Sequence, residues 1–439
     1  MREVDIIYLY EHAARELDVA CAVASVLKRE FDVAVEIIQW PVEFPRVLNK
    51  IRPRKLVVLP YCYSERDYSP LLAYWKDVHY FNFAWEQIFY EGNAKTKTPR
   101  GKFTLHTVIH QAWSEAYADF LRGVGVSNDH IFLNGQPAYT LYDLPYRNYF
   151  DTRDELASRY RIDPGHRWIF FPENYNWAFY PMEKLKLFVR EDQSLEDIYT
   201  MKEFCSLSFS EVLHWFYRLL QTTEKLDLVI RPRPYTLLED FRGAVERVLG
   251  QIPERMHIIQ GESVREWILA SDVILSSYST SLIEAAVAGK NVFILEPLPI
   301  PVRLQAEWQT KMPHIRQYSE LENVCNTDQG TVPDNRLAAW ARSTMMSQGD
   351  SIRNVVRYIN DLLTIPVSRQ SNISSSRWSL FPPVIWSVYR NLRQKIRYNY
   401  TDGVEPMHVK DLVSPADRNL MEENWFNVIN GARSNKEHT

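Results

Sequence analysis

Cysteine is scarce: four residues in 439, Cys21, Cys62, Cys205 and Cys325, scattered with no CxxC pair. That excludes a disulfide framework and a cysteine-based zinc site, and leads us to expect reduced thiols in a cytosolic protein. Long hydrophobic runs are also missing, and the strand-like REVDIIYLY near the N-terminus is too short for a signal sequence or a membrane span. Excess charge is lacking too: a net −4 gives no global reason to expect nucleic acid as a partner. No DxD-like pair is placed to bridge a metal and a diphosphate. His106 and His110 share a face of the short strand expected at HTVIH, but no third ligand stands at a diagnostic spacing, so no metal site is expected.

What is present describes a folded α/β protein. Apolar residues make up 46% and charged residues 24% of a chain too long for one ordinary core. Short β-branched runs alternate with helical patterns: strands are expected at 4–10, 33–40, 55–63, 78–85, 106–110 and 130–135, with a helix at LDVACAVASVLKREF. After a polar pause the pattern restarts, with strands at 168–174, 226–234, 256–261, 272–279 and 291–295 and helices around 208–223 and 237–249. Such alternation predicts two parallel-sheet domains, 1–155 and 156–365, with a crevice between them at the carboxyl ends of both sheets. Residues 366–439 are expected to hold a polar linker, a basic amphipathic helix and a tail.

One stretch of the second domain concentrates hydroxyls. SSYSTSLIEAAVAG places Ser276, Ser277, Ser279, Thr280 and Ser281 within six positions, directly before a helical run that Gly289 would end. Capping needs one or two hydroxyls, so the surplus suggests a phosphate site where a strand feeds a helix. RPRP, residues 231–234, ends a neighbouring strand, and Arg231 and Arg233 could form a rigid fork for phosphate; the plainer alternative is an exposed turn. With Glu284 in the following helix, these residues are the expected donor-binding set.

The pairing of RPRP with a Ser/Thr-rich loop before a small-residue helix resembles the nucleotide-donor domain of GT-B glycosyltransferases. The resemblance is to the bacterial surface-polysaccharide group: capsule Kdo transferases, polysialyltransferases and teichoic-acid glycerophosphotransferases. GVSNDHIFLNGQPAYTLYD is similar to the end of the N-terminal domain in such proteins, where a G-x-P turn faces the cleft. The resemblance spans about residues 1–365 and implies a glycosyltransferase that is independent of metal and cofactor. Its donor would be a nucleotide sugar such as a CMP-linked keto-sugar acid, and its acceptor a capsule or lipopolysaccharide glycan, free or lipid-linked. Where several of these families have His-Pro, this chain has Arg233-Pro234, which keeps a phosphate contact, removes a neutral His as proton donor, and leaves a diphosphate donor open. The alternatives are a GT-B-shaped nucleotide-sugar epimerase and a non-catalytic scaffold.

Candidate catalytic groups follow strand ends. YLYEHAARELD offers Glu11 and His12, with Arg15 able to hold an acidic sugar and Glu16 and Asp18 reading as a charged first turn. FNFAWEQIFYEGN sets Glu86 beside Trp85, Phe89 and Tyr90, an apolar surrounding expected to raise its pKa and to stack on sugar. FFPENYNWAFY opens the second domain with Glu173, Asn174, Asn176 and Trp177. Glu65, Arg66 and Asp67 form a weaker acceptor-site candidate. In 377–400, Ile385, Val388, Leu392 and Ile396 fall on one stripe, and five basic residues meet no acidic one. That composition fits either an interfacial anchor at the inner membrane or a helix packed on the body.

Overall fold

The computed structural model describes residues 1–40, 43–48, 50–65, 68–75, 77–90, 94–186, 194–233, 236–326, 334–367, 385 and 412–431. It divides into two compact units, Met1–Ile88 with Ala94–Tyr149 and Ser343–Thr439, and Phe89–Asn93 with Phe150–Arg342. Among the described residues, no helix is long and apolar enough to cross a membrane.

Unit 1 is built on six parallel strands, β1 (Arg2–Tyr10), β2 (Val35–Gln39), β3 (Ile51–Leu59), β4 (His79–Asn82), β5 (Val108–Ala112) and β6 (Ile131–Leu133), in the order β2-β1-β3-β4-β5-β6. Ile6 to Tyr10 are buried consecutively instead of alternately, as expected of a parallel sheet covered on both faces. The helix Asp18–Glu30 is buried from Asp18 through Leu27. Its run of small and β-branched residues has no polar face, because later parts of the chain return to cover it.

That return moves the expected boundaries at 156–365 and 366–439. Helix Ser351–Thr364 buries Ile352, Val355, Val356, Ile359 and Leu362 and packs on helix Asp18–Glu30, so 343–365 belongs with unit 1. Each such side chain contributes about 1.5–3 kcal/mol of apolar burial. Asp350 caps this helix, accepting from the Arg353 N–H at 2.9 Å and from the Tyr146 hydroxyl at 2.8 Å. The G-x-P turn is the seat for the same return. Gly135 has φ +90°, and a Cβ there would lie 2.7 Å from Ser351 Oγ and 2.9 Å from the Met345 carbonyl oxygen.

A second helix, Pro415–Ile429, is capped by Ser414 and also packs on Asp18–Glu30. Trp425, fully buried, stacks on Tyr149 at 3.9 Å, Arg418 pairs with Glu43 at 2.8 Å and Glu422 with Lys28 at 2.6 Å. The amphipathic stretch 377–400 lies outside the described residues apart from Ile385.

Unit 2 holds β7 (Arg167–Pro172), β8 (Leu226–Arg231), β9 (Met256–Ile258), β10 (Val273–Ser276), β11 (Asn291–Leu295) and β12 (His314–Ile315) in the order β12-β11-β10-β7-β8-β9, all parallel. Counted from β7 this is the 3-2-1-4-5-6 order of a dinucleotide-binding sheet, with the direction of winding reversing between β7 and β10. The two-residue β12 was not among the expected strands. The helix expected at 208–223 runs over Leu195–Thr222, started by a capping box between Ser194 and Asp197.

Candidate functional site

In doubly wound sheets, ligands bind outside the carboxyl ends of the strands flanking the reversal. In unit 2 those ends are Pro172 of β7 and Ser276 of β10, and the Ser276 hydroxyl donates to the Pro172 carbonyl at 2.6 Å, tying them together. Glu173 follows β7 with 3% exposure. Its carboxyl oxygens accept from the backbone N–H of Tyr175 and, at 3.5 Å, from that of Arg233. Burial pushes its pKa up to about 7, against the pull of the Tyr175 N–H and of Arg233. The Arg233 guanidinium donates to Asn174 Oδ1 at 2.8 Å and Asn176 Oδ1 at 3.3 Å. Gln260 Nε2 fixes the turn from below, donating to the carbonyls of Arg233 at 3.0 Å and Thr236 at 2.7 Å.

Arg231 and Arg233 do not make the expected fork. Arg231 turns toward the chain after β9 and donates to the Glu262 carbonyl at 2.9 Å, which gives it a structural role. The hydroxyl loop divides similarly. Ser276 and Ser277 are 0% and 1% exposed, Ser276 committed to Pro172 and Ser277 adjoining the buried Tyr175 hydroxyl, because both continue the interior register of β10. Ser279, Thr280 and Ser281 are half-buried, so three of the five residues, not all of them, are partly open to solvent. Thr280 is the N-cap position of helix Ser281–Val287 but makes no side-chain cap; Ser279 Oγ instead accepts from the Ser281 N–H at 3.3 Å. Gly289 follows the helix at φ +76°. Glu284 lies 3.8 Å from the buried Arg265. Tyr90 donates its hydroxyl to the Tyr278 carbonyl in the middle of the loop at 2.6 Å.

In unit 1 the winding reverses between β1 and β3. Glu11 follows β1 directly, with His12 Nε2 at 3.4 Å and the Arg15 guanidinium at 3.9 Å. Burial raises the Glu11 pKa to about 7; His12 and Arg15 lower it, Glu16 and Glu86 raise it. Arg15 is itself gripped by Glu16 at 2.6 Å and Glu86 at 3.1 Å, so it is charged at any working pH.

Glu86 differs from expectation. Its partners are ionic: Arg15, Lys97 at 2.7 Å and the Tyr63 hydroxyl at 3.4 Å. Burial acts upward on this carboxyl, but Arg15 and Lys97 together outweigh it and hold the pKa at about 2. The raised carboxyl expected at Glu86 is found at Glu11. Trp85 is 3% exposed and stacks on Phe83 at 5.3 Å, a core position that excludes stacking on sugar. His106 ends a short helix, Lys102–His106, instead of sharing a strand face with His110. The His110 ring is buried between the Asn82 amide at 3.0 Å and the Thr104 carbonyl at 2.8 Å, and burial lowers its pKa to about 4. Among the described residues no group of three His, Cys, Asp or Glu side chains is placed to hold a metal ion. Arg66 and Asp67 lie outside the described residues.

Lys97, Tyr63 and Gln260 escaped sequence reasoning. Each matters through a partner that local periodicity does not connect: Glu86, 11 residues from Lys97 and 23 from Tyr63, and Arg233, 27 from Gln260.

No protein-family model and no curated protein sequence matches the chain. Solved structures do. The wall teichoic acid polymerase TagF superposes with a TM-score of 0.52 at 11% identity, covering 82% of this chain and 87% of that one. S. aureus MnaA, in a co-structure with UDP, gives 0.51 at 12% identity, covering 85% of this chain and 100% of that one. With two six-stranded parallel sheets flanked by helices, the chain shares the GT-B fold of these proteins, two Rossmann-like units.

Proposed function

We propose that the chain is a GT-B glycosyltransferase moving a sugar from a nucleotide-activated donor to a bacterial surface glycan. The observation that carries this lies at the reversal point of the unit 2 sheet: Arg233, Asn174 and Glu173 cluster past the ends of β7 and β8, and Ser279, Thr280 and Ser281 are half-buried in the loop after β10, the strand next to β7. A permanent cation beside three neutral donors suits the phosphate of a nucleotide. Glu173 holds the Arg233 turn through its backbone N–H. In unit 1, Glu11 is the base for the acceptor hydroxyl, its raised pKa matching proton transfer near neutrality. Similarity to a structure holding UDP and to a wall teichoic acid polymerase supports the reading.

Both CMP-linked keto-sugar acids and diphosphate-linked sugars fit a site that uses Arg233 where related proteins have His. The acceptor is a capsule or lipopolysaccharide glycan, and the basic stretch 377–400 would hold the protein at the inner membrane. An epimerase acting on a UDP-sugar is the second reading, with which the likeness to a structure holding UDP is equally compatible; it would convert donor with no acceptor present.

The experiment is a thermal-shift screen with CMP, CDP, UMP, UDP and GDP, followed by turnover of the stabilising nucleotide's sugars with and without acceptor glycan. Stabilisation by at least one nucleotide and acceptor-dependent turnover are expected. Stabilisation by none, with Ser279→Ala and Ser281→Ala also without effect, rejects the donor site. Turnover without acceptor assigns the epimerase reading.

A further inference from the structure

Arg15 is one guanidinium among three carboxyl groups, and the sharing is uneven. Glu16 Oε1 takes both Nη2 at 2.6 Å and Nε at 3.1 Å, Glu86 Oε1 takes Nη1 at 3.1 Å, and Glu11 stands off at 3.9 Å. Each holder is itself fixed. Glu16 is fully buried and its second oxygen accepts the Glu11 backbone N–H at 2.7 Å. The second oxygen of Glu86 is taken by Lys97 at 2.7 Å and Tyr63 at 3.4 Å.

We propose that Glu86 is a positioning residue that, together with Glu16, holds the Arg15 guanidinium away from Glu11 and so leaves Glu11 able to take up a proton from substrate. The inference rests on the reading of Glu11 as the base. It reassigns Glu86 from candidate base to a fixed anion that acts through Arg15.

The groups facing Glu11 come from several elements. His12, Arg15 and Glu16 lie on the turn after β1, Glu86 on the segment after β4, and Gln39, at the end of β2, donates to the Glu11 backbone carbonyl at 3.4 Å. Burial is the largest influence on the Glu11 carboxyl and His12 the next, and Arg15 is the cation whose place beside Glu11 is set by Glu16 and Glu86. A guanidinium in direct contact lowers a carboxyl pKa by about one to three units, enough to turn a base working near neutrality into an inert anion. Loss of the Glu86 charge acts in the same direction twice: it removes a repelling anion and frees Arg15 to close on Glu11. Loss of Arg15 acts oppositely, leaving Glu11 beside His12 and the carboxyl groups of Glu16 and Glu86.

The test is a titration of the full chain carrying glutamate labelled with 13C at the side-chain carboxyl, in which the resonance missing from Glu11→Gln identifies Glu11. In Glu86→Gln the Glu11 midpoint is expected to fall by about one pH unit or more, in Glu86→Asp to return toward the parent value, and in Arg15→Gln to rise. In turnover, the acid limb of the pH profile moves down with the midpoint in Glu86→Gln; a merely structural role would lower thermal stability without moving the limb. An unchanged or raised midpoint in Glu86→Gln overturns the proposal, as does an unchanged or lowered one in Arg15→Gln, which decides the matter alone if Glu86→Gln does not fold. The titration is independent of sugar transfer: if the midpoints move as stated while Glu11→Gln keeps full turnover, the Arg15 arrangement stands and the assignment of Glu11 as base fails.

Discussion

Glu11 and Glu173 occupy the same topological place in two differently wound sheets: each directly follows the first strand of its unit, beside the point where the winding reverses. Both have pKa values raised to about 7, by different means. Glu173 is sealed in and given backbone N–H partners, whereas Glu11 sits among side chains of both signs, with its nearest permanent cation held by others. A carboxyl bound to backbone is fixed in place and serves the geometry of its loop. One surrounded by side chains whose charges balance can exchange a proton with a ligand. The two positions show that an equal pKa does not mean an equal task.

The sharpest way to break this contrast is by turnover. Glu11→Gln should lower kcat by about 10²- to 10⁴-fold, the usual contribution of a general base, with nucleotide affinity unchanged. Glu173→Gln, whose single amide oxygen can keep only one of the two N–H contacts that the two carboxyl oxygens accept, should still lower it far less; equal losses would give both carboxyls the same role. Next in size, Arg233→Gln should weaken nucleotide binding by roughly 10- to 100-fold in a calorimetric titration, since it removes a charge-assisted contact of about 1.5–3 kcal/mol, while Lys97→Gln in unit 1 should leave it unchanged.

The smallest effect is on stability. A carboxyl whose folded-state pKa is raised stabilises the fold fully below its unfolded value near 4.5, and that contribution is lost as pH rises through about 7. Urea unfolding of Glu173→Gln and Glu11→Gln should therefore show each variant gaining on the parent between pH 5 and pH 8, by on the order of 1–3 kcal/mol. The gain should be similar at the two, because both carboxyls are raised to about 7.

Sequence reasoning reached the alternation of strands and helices, both sheets and the hydroxyl loop, because these rest on local periodicity and turn chemistry. It overran strand ends: 226–234 and 272–279 stop at Arg231 and Ser276, and the arginine-proline and serine-rich residues beyond them belong to the loops that carry the candidate site. It missed Leu195–Asp197 as a helix start because the first turns of that helix are polar and partly exposed. The stripe Ile352, Val355, Val356 and Ile359 shows a buried face but cannot show that the face covers a helix more than 300 residues earlier. Charges failed for the same reason. Beside Glu86 the sequence places Trp85, yet the groups that set its ionisation are Arg15 and Lys97, 71 and 11 residues away.

The return of the C-terminal helices to unit 1 has a consequence for synthesis. Residues 150–342 are interposed between the parts of a unit whose strands are made first and whose covering helices are made last. As the chain emerges, unit 2 has nearly all its sequence before unit 1 does, and the apolar surface of helix Asp18–Glu30 stays uncovered until Ser351–Thr364 and Pro415–Ile429 arrive. At about 5–20 residues per second that wait lasts tens of seconds, the interval in which a holding chaperone would find its target at the front of the protein and not at its end.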